Sequence, residues 1–210
     1  MCDIFSKYKY IFWDFDGVIK DSVEVKSIAF VKLFELFGKD VAIKIREHHE
    51  ANGGMSRYDK LPLYLQWSGQ EPTENTVKVY SENFSKLVKQ NVINSKWVPG
   101  VLEYLDRQYD THDFFLVTAT PQLEIEEILS SLNIKHFFNQ TIGAPIAKSE
   151  AIGNLLNEYS ITPENSVMIG DSNSDYNAAK LNNISFILRR TNINKILQRQ
   201  LDCPMIDNFL

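Results

Sequence analysis

Two kinds of apolar pattern alternate along this chain. Short runs, apolar on both faces, stop abruptly at polar residues, and longer stretches repeat apolar residues three and four positions apart. The first short run lies in residues 8–21, YKYIFWDFDGVIKD. Tyr10, Ile11, Phe12 and Trp13 favour a strand, and burial of both faces favours a central parallel strand over an exposed edge. It ends in Asp14 and Asp16, followed by Gly17. Side chains alternate on an extended chain, so the two carboxylates share a direction only if the strand runs on through Phe15. A bend at Gly17 would instead separate them.

Residues 23–37 then predict a helix. Val23, Phe30, Phe34 and Phe37 make its apolar face, widened by Ile28, Val31 and Leu33, with Ser22 as cap and Gly38 as stop. Glu24 and Lys26 sit in its first turn. Residues 40–95 show no convincing strand. Ile43, Ile45 and the polar residues 46–50 lead to a turn at Asn52, Gly53 and Gly54; residues 55–67 read as helical despite Pro62, and a longer helix follows Glu71 and Pro72 to about Gln90. This stretch predicts a helical insert.

The KWVPG sequence at 96–100 marks the return to the main domain. A helix to about Arg107 precedes a buried strand at 114–117, which ends in Thr118, Ala119, Thr120 and Pro121. A helix over 122–132 follows, with Pro121 at its first position. A third strand is expected over 137–142, a helix over 150–159, a fourth strand at 167–169, a helix through Ala178, Ala179 and Leu181, a fifth strand at 184–188 and a short helix over 193–201. The tail 202–210 has no clear period and is expected to pack back on the domain. Strand and helix in alternation argue for an α/β fold: an open, Rossmann-like parallel sheet with helices on both faces. The expected division is a core of residues 1–20 and 96–210 with a helical cap of residues 21–95.

Length and composition fit one soluble domain with a smaller insert: 210 residues, 44% hydrophobic and 23% charged. The formal charge of −5 and the lack of a basic stripe argue against nucleic acid as partner. No apolar run reaches membrane-spanning length and no secretory signal opens the chain, so a cytoplasmic protein with no membrane partner and no obligatory protein partner is expected. Cys2 and Cys203 have no metal-ligand spacing; a disulfide between them stays open, a reducing compartment being the simpler reading.

An acidic protein that handles an anion needs a local positive centre, and the strand ends supply the parts of one. Asp14 and Asp16, Thr118, Lys148, and Asp171 and Asp175 within the GDSNSD run all fall at strand or loop ends, which a parallel sheet gathers on one side. Carboxylates brought together without a cation raise one another's pKa values. Mg2+ suits such a site, with Asp14, Asp171 and the Asp16 backbone carbonyl as ligands and Asp175 as direct or supporting partner. Lys148, Thr118 and the backbone after it fit a phosphate. Taken singly, each residue has an ordinary explanation: Asp at a strand end or helix cap, Lys on the surface, Thr in a strand.

DFDGV at 14–18, the strand ending in Thr118, Lys148 and GDSNSD at 170–175 together resemble the haloacid dehalogenase-like hydrolases, in particular their capped phosphatases. The resemblance implies Asp14 as nucleophile, Asp16 as acid and base, Thr118, Ala119 and Lys148 as phosphate-site groups, Asp171 as metal ligand, Asp175 as its support, and a cap that closes over a small phosphorylated substrate. Ala119 stands where asparagine is frequent, which loosens the subfamily assignment. Residues 53–57 resemble a substrate loop of small-sugar phosphatases and phosphomutases. They make Arg57 the leading specificity residue, with a surface salt bridge as its alternative, and His48 and His49 weaker ones. Tyr64 and Trp67, three apart, are expected to pack within the cap. The expected activity is a Mg2+-dependent phosphatase of a sugar or polyol phosphate. A sugar phosphomutase and an inactive binding module are the alternatives.

Overall fold

The computed structural model describes residues 4–210. Cys2 lies outside them, and Cys203 is a free thiol. The first strand, β1 (Tyr10–Trp13), is followed by four helices, α1 (Val23–Phe34), α2 (Lys39–Ala51), α3 (Arg57–Trp67) and α4 (Glu74–Asn94). Then come α5 (Val101–Gln108), β2 (Asp113–Pro121), α6 (Gln122–Ser131), β3 (Gln140–Ala144), α7 (Lys148–Glu158), β4 (Ser166–Gly170), α8 (Asn173–Leu181), β5 (Ser185–Arg189), α9 (Lys195–Gln200) and β6 (Met205–Ile206).

The sheet has the order β3-β2-β1-β4-β5-β6 and every pair is parallel. β1 therefore has a neighbour on each side, as its two-sided apolar run requires. The strand period sorts its residues onto two faces. Ile11 and Trp13 join Phe114, Leu116, Val167, Ile169 and Ile187 in one buried cluster, while Phe12 joins Phe115, Val117, Met168 and Leu188 in the other. The first cluster continues into the insert through Phe30, Phe34, Ile45, Leu61, Tyr64 and Phe84. Chain order reverses between β1 and β4, and that reversal opens a crevice at the carboxyl ends of the strands.

The helical insert lies between β1 and β2, as its composition predicts. Residues 39–51, read only as a lead into the Asn52 turn, are a full helix whose buried residues are Ala42, Ile45 and His49. Several details depart from expectation. Pro121 ends β2 and caps α6 instead of being its first residue. Ile28, counted as an apolar-face residue, is 55% exposed. The third strand starts at Gln140, because Phe137 and Phe138 are buried as part of a short helical turn and its exit. The tail adds a sixth strand, too short to show a period, and Phe209 then packs 5.2 Å from the Trp13 ring.

Candidate active site

The catalytic candidates meet where β1, β2 and β4 end. β1 delivers Asp14, whose N–H donates to the Ile169 carbonyl at 3.0 Å and so ties it to β4. Gly17 then bends the chain with φ +76°, and its lack of a side chain is obligatory: a Cβ there would lie 2.0 Å from Asp171 Oδ2. The two carboxylates are separated already at Phe15, where the chain bends between them. Asp14 joins the acidic group and Asp16 turns toward α1.

Asp14, Asp171 and Asp175 each offer an oxygen within 4.8 Å of the others. Lys148, the first residue of α7, lies 2.9 Å from Asp14 Oδ1 and 2.5 Å from Asp175 Oδ1. Three carboxylates against one ammonium leave two negative charges unmatched, and Asp14 Oδ1 is buried without an aligned hydrogen-bond donor. Such a group of oxygens could hold a divalent cation. Asp175 is already engaged at both oxygens, since its Oδ2 accepts from the Ser172 N–H at 3.1 Å and the Ser172 hydroxyl at 2.6 Å. Asp14 and Asp171 keep the freer oxygens.

Electrostatics follow from this crowding. Burial, helped by Asp175 and Asp16 and opposed by Lys148, raises the Asp14 carboxyl to about 7. Asp171 is raised well above the ordinary range by burial and by Asp14 and Asp175. Burial would raise Asp16 too, but the Lys26 ammonium outweighs it and, with the Ser22 hydroxyl, holds Asp16 below its ordinary value. Lys148 is raised: burial alone would lower it, and Asp14 and Asp175 reverse the sign.

Around Asp16 the contacts are polar and local to the crevice. Lys26 Nζ pairs with Asp16 Oδ2 and donates to Thr120 Oγ1 at 2.9 Å. Thr120 in turn donates to Asp16 Oδ2 at 3.2 Å, and Ser22 to Asp16 Oδ1 at 2.6 Å. Lys26 was placed in the first turn of the helix by the sequence but given no role in the site. Its signal was its place in the first turn of a helix that begins beside the carboxylates. Thr120 also had a signal, its spacing of two from Thr118 on an extended strand. Thr118 is buried, and its hydroxyl oxygen accepts from the Thr120 N–H at 3.2 Å.

The insert closes the site from above. A cavity of about 310 Å3 is lined by Asp14, Asp16, Thr118, Ala119, Lys148 and Asp171 from the core and by Lys26, His49, Arg57 and Lys60 from the helices. Gly54 seats the insert on the core: with φ +77°, a Cβ there would lie 2.5 Å from Ser172 Oγ. Arg57 is not a surface residue. It is 4% exposed, and its guanidinium donates to Glu124 of α6 at 2.9 and 2.5 Å and to Ser85 at 2.6 Å. Its contact in the structure is thus a buried ion pair joining insert to core. His48 hydrogen-bonds the Tyr64 hydroxyl at 3.0 Å, and Tyr64 and Trp67 pack 5.5 Å apart, so this part of the insert is structural.

The family described as haloacid dehalogenase-like hydrolase matches residues 11–189. No curated protein matches the sequence. Among solved structures, a β-phosphoglucomutase from Clostridium difficile is similar over 96% of this chain and 92% of its own, at 20% identity and a TM-score of 0.77. A predicted phosphoglycolate phosphatase from Haemophilus somnus is similar over 97% and 95%, at 20% identity and 0.73. A haloacid dehalogenase-like family hydrolase from Streptococcus pneumoniae is similar over 95% and 94%, at 17% identity and 0.69. At these identities the likeness is one of fold.

Proposed function

Given that the chain belongs to the haloacid dehalogenase-like hydrolases, we propose that it is a Mg2+-dependent phosphatase of a small phosphorylated metabolite, of the sugar or polyol phosphate class. The observation that carries this reading is the Asp14 carboxylate, buried between Lys148 and the acidic group on the floor of the cavity. Residues 21–95 are its cap and residues 1–20 and 96–210 its core.

Asp14, Asp171 and the Asp16 carbonyl would hold the metal, with Asp175 bracing the set through Lys148 and Ser172. When bound, Mg2+ would offset the negative charge of the phosphoryl oxygens and of the carboxylates around them. Lys148, Thr118 and the chain at Ala119 orient the phosphate, so that an Asp14 oxygen attacks phosphorus in line with the ester oxygen. The phosphorus–ester bond breaks, Asp14 carries the phosphoryl group, and Asp16 gives its proton to the leaving alkoxide. Asp16 then takes a proton from the water that attacks the aspartyl-phosphate, which releases inorganic phosphate and restores Asp14.

Asp16 paired with Lys26 is ionised, which suits the second half of this cycle. The first half needs Asp16 protonated, and an anionic substrate that drew the Lys26 ammonium away would remove the charge that keeps the proton off it. Arg57 shapes the cavity wall through Glu124, and specificity depends on it by that route. A phosphomutase must also hold a second phosphate, and the Arg57 guanidinium is already matched by a carboxylate, which favours the hydrolase. The test is a panel of small phosphoesters with Mg2+ or with EDTA. Metal-dependent release of inorganic phosphate, lost in Asp14→Asn, is expected; isomerisation of a sugar phosphate without net release would replace the reading by the mutase.

A further inference from the structure

The pairing of β4 with β5 ends at Gly170 and Leu188, one residue short of Asp171 on one side and of Arg189 on the other. The Asn194 side chain spans this gap. Its Nδ2 donates to the Asp171 carbonyl at 2.7 Å and to the Arg189 carbonyl at 2.9 Å. Its Oδ1 accepts from the Thr191 N–H at 2.9 Å and from Gln198 Nε2 at 2.7 Å. Carbonyls on one side and an N–H on the other decide which end of the amide is the nitrogen, and all of its hydrogen-bonding capacity is used. Gln198 Nε2 donates to the Thr191 carbonyl as well, at 2.8 Å, and so braces the arrangement from α9. Asn194 stands at the N-cap of α9, where asparagine ordinarily accepts from its own helix, yet it makes no such bond. The side chain is spent on Asp171 instead.

We propose that Asn194 is a positioning residue for the metal centre: by holding the Asp171 carbonyl it fixes the direction in which the Asp171 carboxylate meets a bound Mg2+. The proposal rests on the metal-dependent phosphatase reading and adds to it a residue 23 positions along the chain from its target. Among the described residues no hydrogen bond reaches the Asp171 carboxylate, so its direction follows from its backbone and from its packing against Gly17. Asp175 pins the same loop one residue later, through the Ser172 N–H and hydroxyl, and Asn194 pins it at Asp171 itself. Mg2+ demands nearly ideal octahedral geometry, so a ligand free to swing costs it more than it costs the larger, more tolerant Ca2+. The residue type fits this task. Serine or aspartate would cap α9 as well, but neither has two N–H groups to give to two carbonyls. Asn194 also borders the cavity, but with its amide fully committed it has no polar atom left for the substrate.

The test uses Asn194→Ser, with Gln198→Met as a second variant that keeps both amide N–H groups and removes one brace on Oδ1. Melting curves in EDTA verify that each variant folds. The affinities of substrate-free protein for Mg2+ and, separately, for Ca2+ are then read from the rise in melting temperature with cation concentration. Asn194→Ser is expected to weaken Mg2+ binding by about tenfold to a hundredfold, the usual effect of losing an outer partner of a metal ligand. Ca2+ binding should weaken less, so the preference for Mg2+ over Ca2+ falls. Gln198→Met should shift both in the same direction by a smaller factor. With a phosphoester that wild type hydrolyses, raising Mg2+ should restore kcat in Asn194→Ser while KM for the ester stays at the wild-type value. Wild-type Mg2+ affinity in folded Asn194→Ser overturns the proposal and leaves the phosphatase reading standing, as does an equal loss for both cations or a raised KM at saturating Mg2+. If Asn194→Ser does not fold, unchanged Mg2+ affinity in Gln198→Met overturns it. Wild type that binds no Mg2+ sinks proposal and reading together.

Discussion

A buried ion pair, Arg57 with Glu124, joins insert and core, and its energetics can be worked through. Arg57 and Glu124 are both almost fully enclosed, with two guanidinium–carboxylate hydrogen bonds, Ser85 donating to the same carboxylate at 2.5 Å, and the guanidinium 4.6 Å from the centre of the Phe84 ring. Removing one partner strands a charge with no water to receive it. Glu124→Leu and Arg57→Met should therefore each destabilise the protein by about 3–5 kcal/mol, while the double variant, which leaves neither charge, should lie within about 1 kcal/mol of wild type. Urea unfolding followed by both far-ultraviolet dichroism and tryptophan fluorescence would measure this, with coincident transitions licensing the comparison. The coupling energy of the cycle should then be several kcal/mol. Single variants costing under about 1 kcal/mol, or a double variant costing the sum of the singles, would refute the reasoning, because the pair would then be solvated in solution. KM in the double variant separates the two ways Arg57 can act. If its influence runs through Glu124, KM changes less in the double variant than in Arg57→Met.

The remaining expectations concern the reacting end. Asp14→Asn should abolish Mg2+-dependent phosphate release and any acid-stable phosphorylation of the protein, and near-normal turnover would sink the nucleophile assignment. Asp14 is raised to about 7, so its contribution to stability is complete below the ordinary carboxylate range and is lost as pH rises through about 7. In EDTA the melting temperature should therefore fall across that window. Mg2+ should restore it above about pH 7 and do little near pH 5, and equal Mg2+ stabilisation at both would contradict the acidic site. Asp16 has the opposite sign: it is held low, stabilises above the ordinary carboxylate range, and loses that effect as pH falls through its lowered value. Lys26→Met should raise it and move the alkaline limb of kcat/KM, the limb set by the proton that Asp16 gives the leaving group, to higher pH, which a pH series would detect. Gly17→Ala should lose metal-dependent stabilisation as well as activity, because a methyl at φ +76° meets the Asp171 carboxylate.

Much of the fold and the gathering of the polar strand-end side chains were legible in the residues alone, because their determinants are local. A run such as Ile11, Phe12 and Trp13 can be buried on both faces only inside a parallel sheet, and such a sheet gathers its strand ends on one side. Asp14, Thr118, Lys148, Asp171 and Asp175 could be grouped on that ground, and a divergence of Asp14 from Asp16 was open to the same reasoning, although the chain bends at Phe15 rather than first at Gly17. Which charges face one another was not legible, for the partners lie far apart in the chain. Arg57 meets Glu124 across 67 positions, and Thr120 meets Asp16 across 104. A helix period tells which face is buried but not what the face is buried against. Arg57 and Lys60 lie three residues apart on α3, and nothing in their local pattern distinguishes the guanidinium matched by a carboxylate from the ammonium left beside a histidine. That difference arises only when α3 packs between α2, α4 and the core, where the surroundings assign each charge its partner or leave it without one.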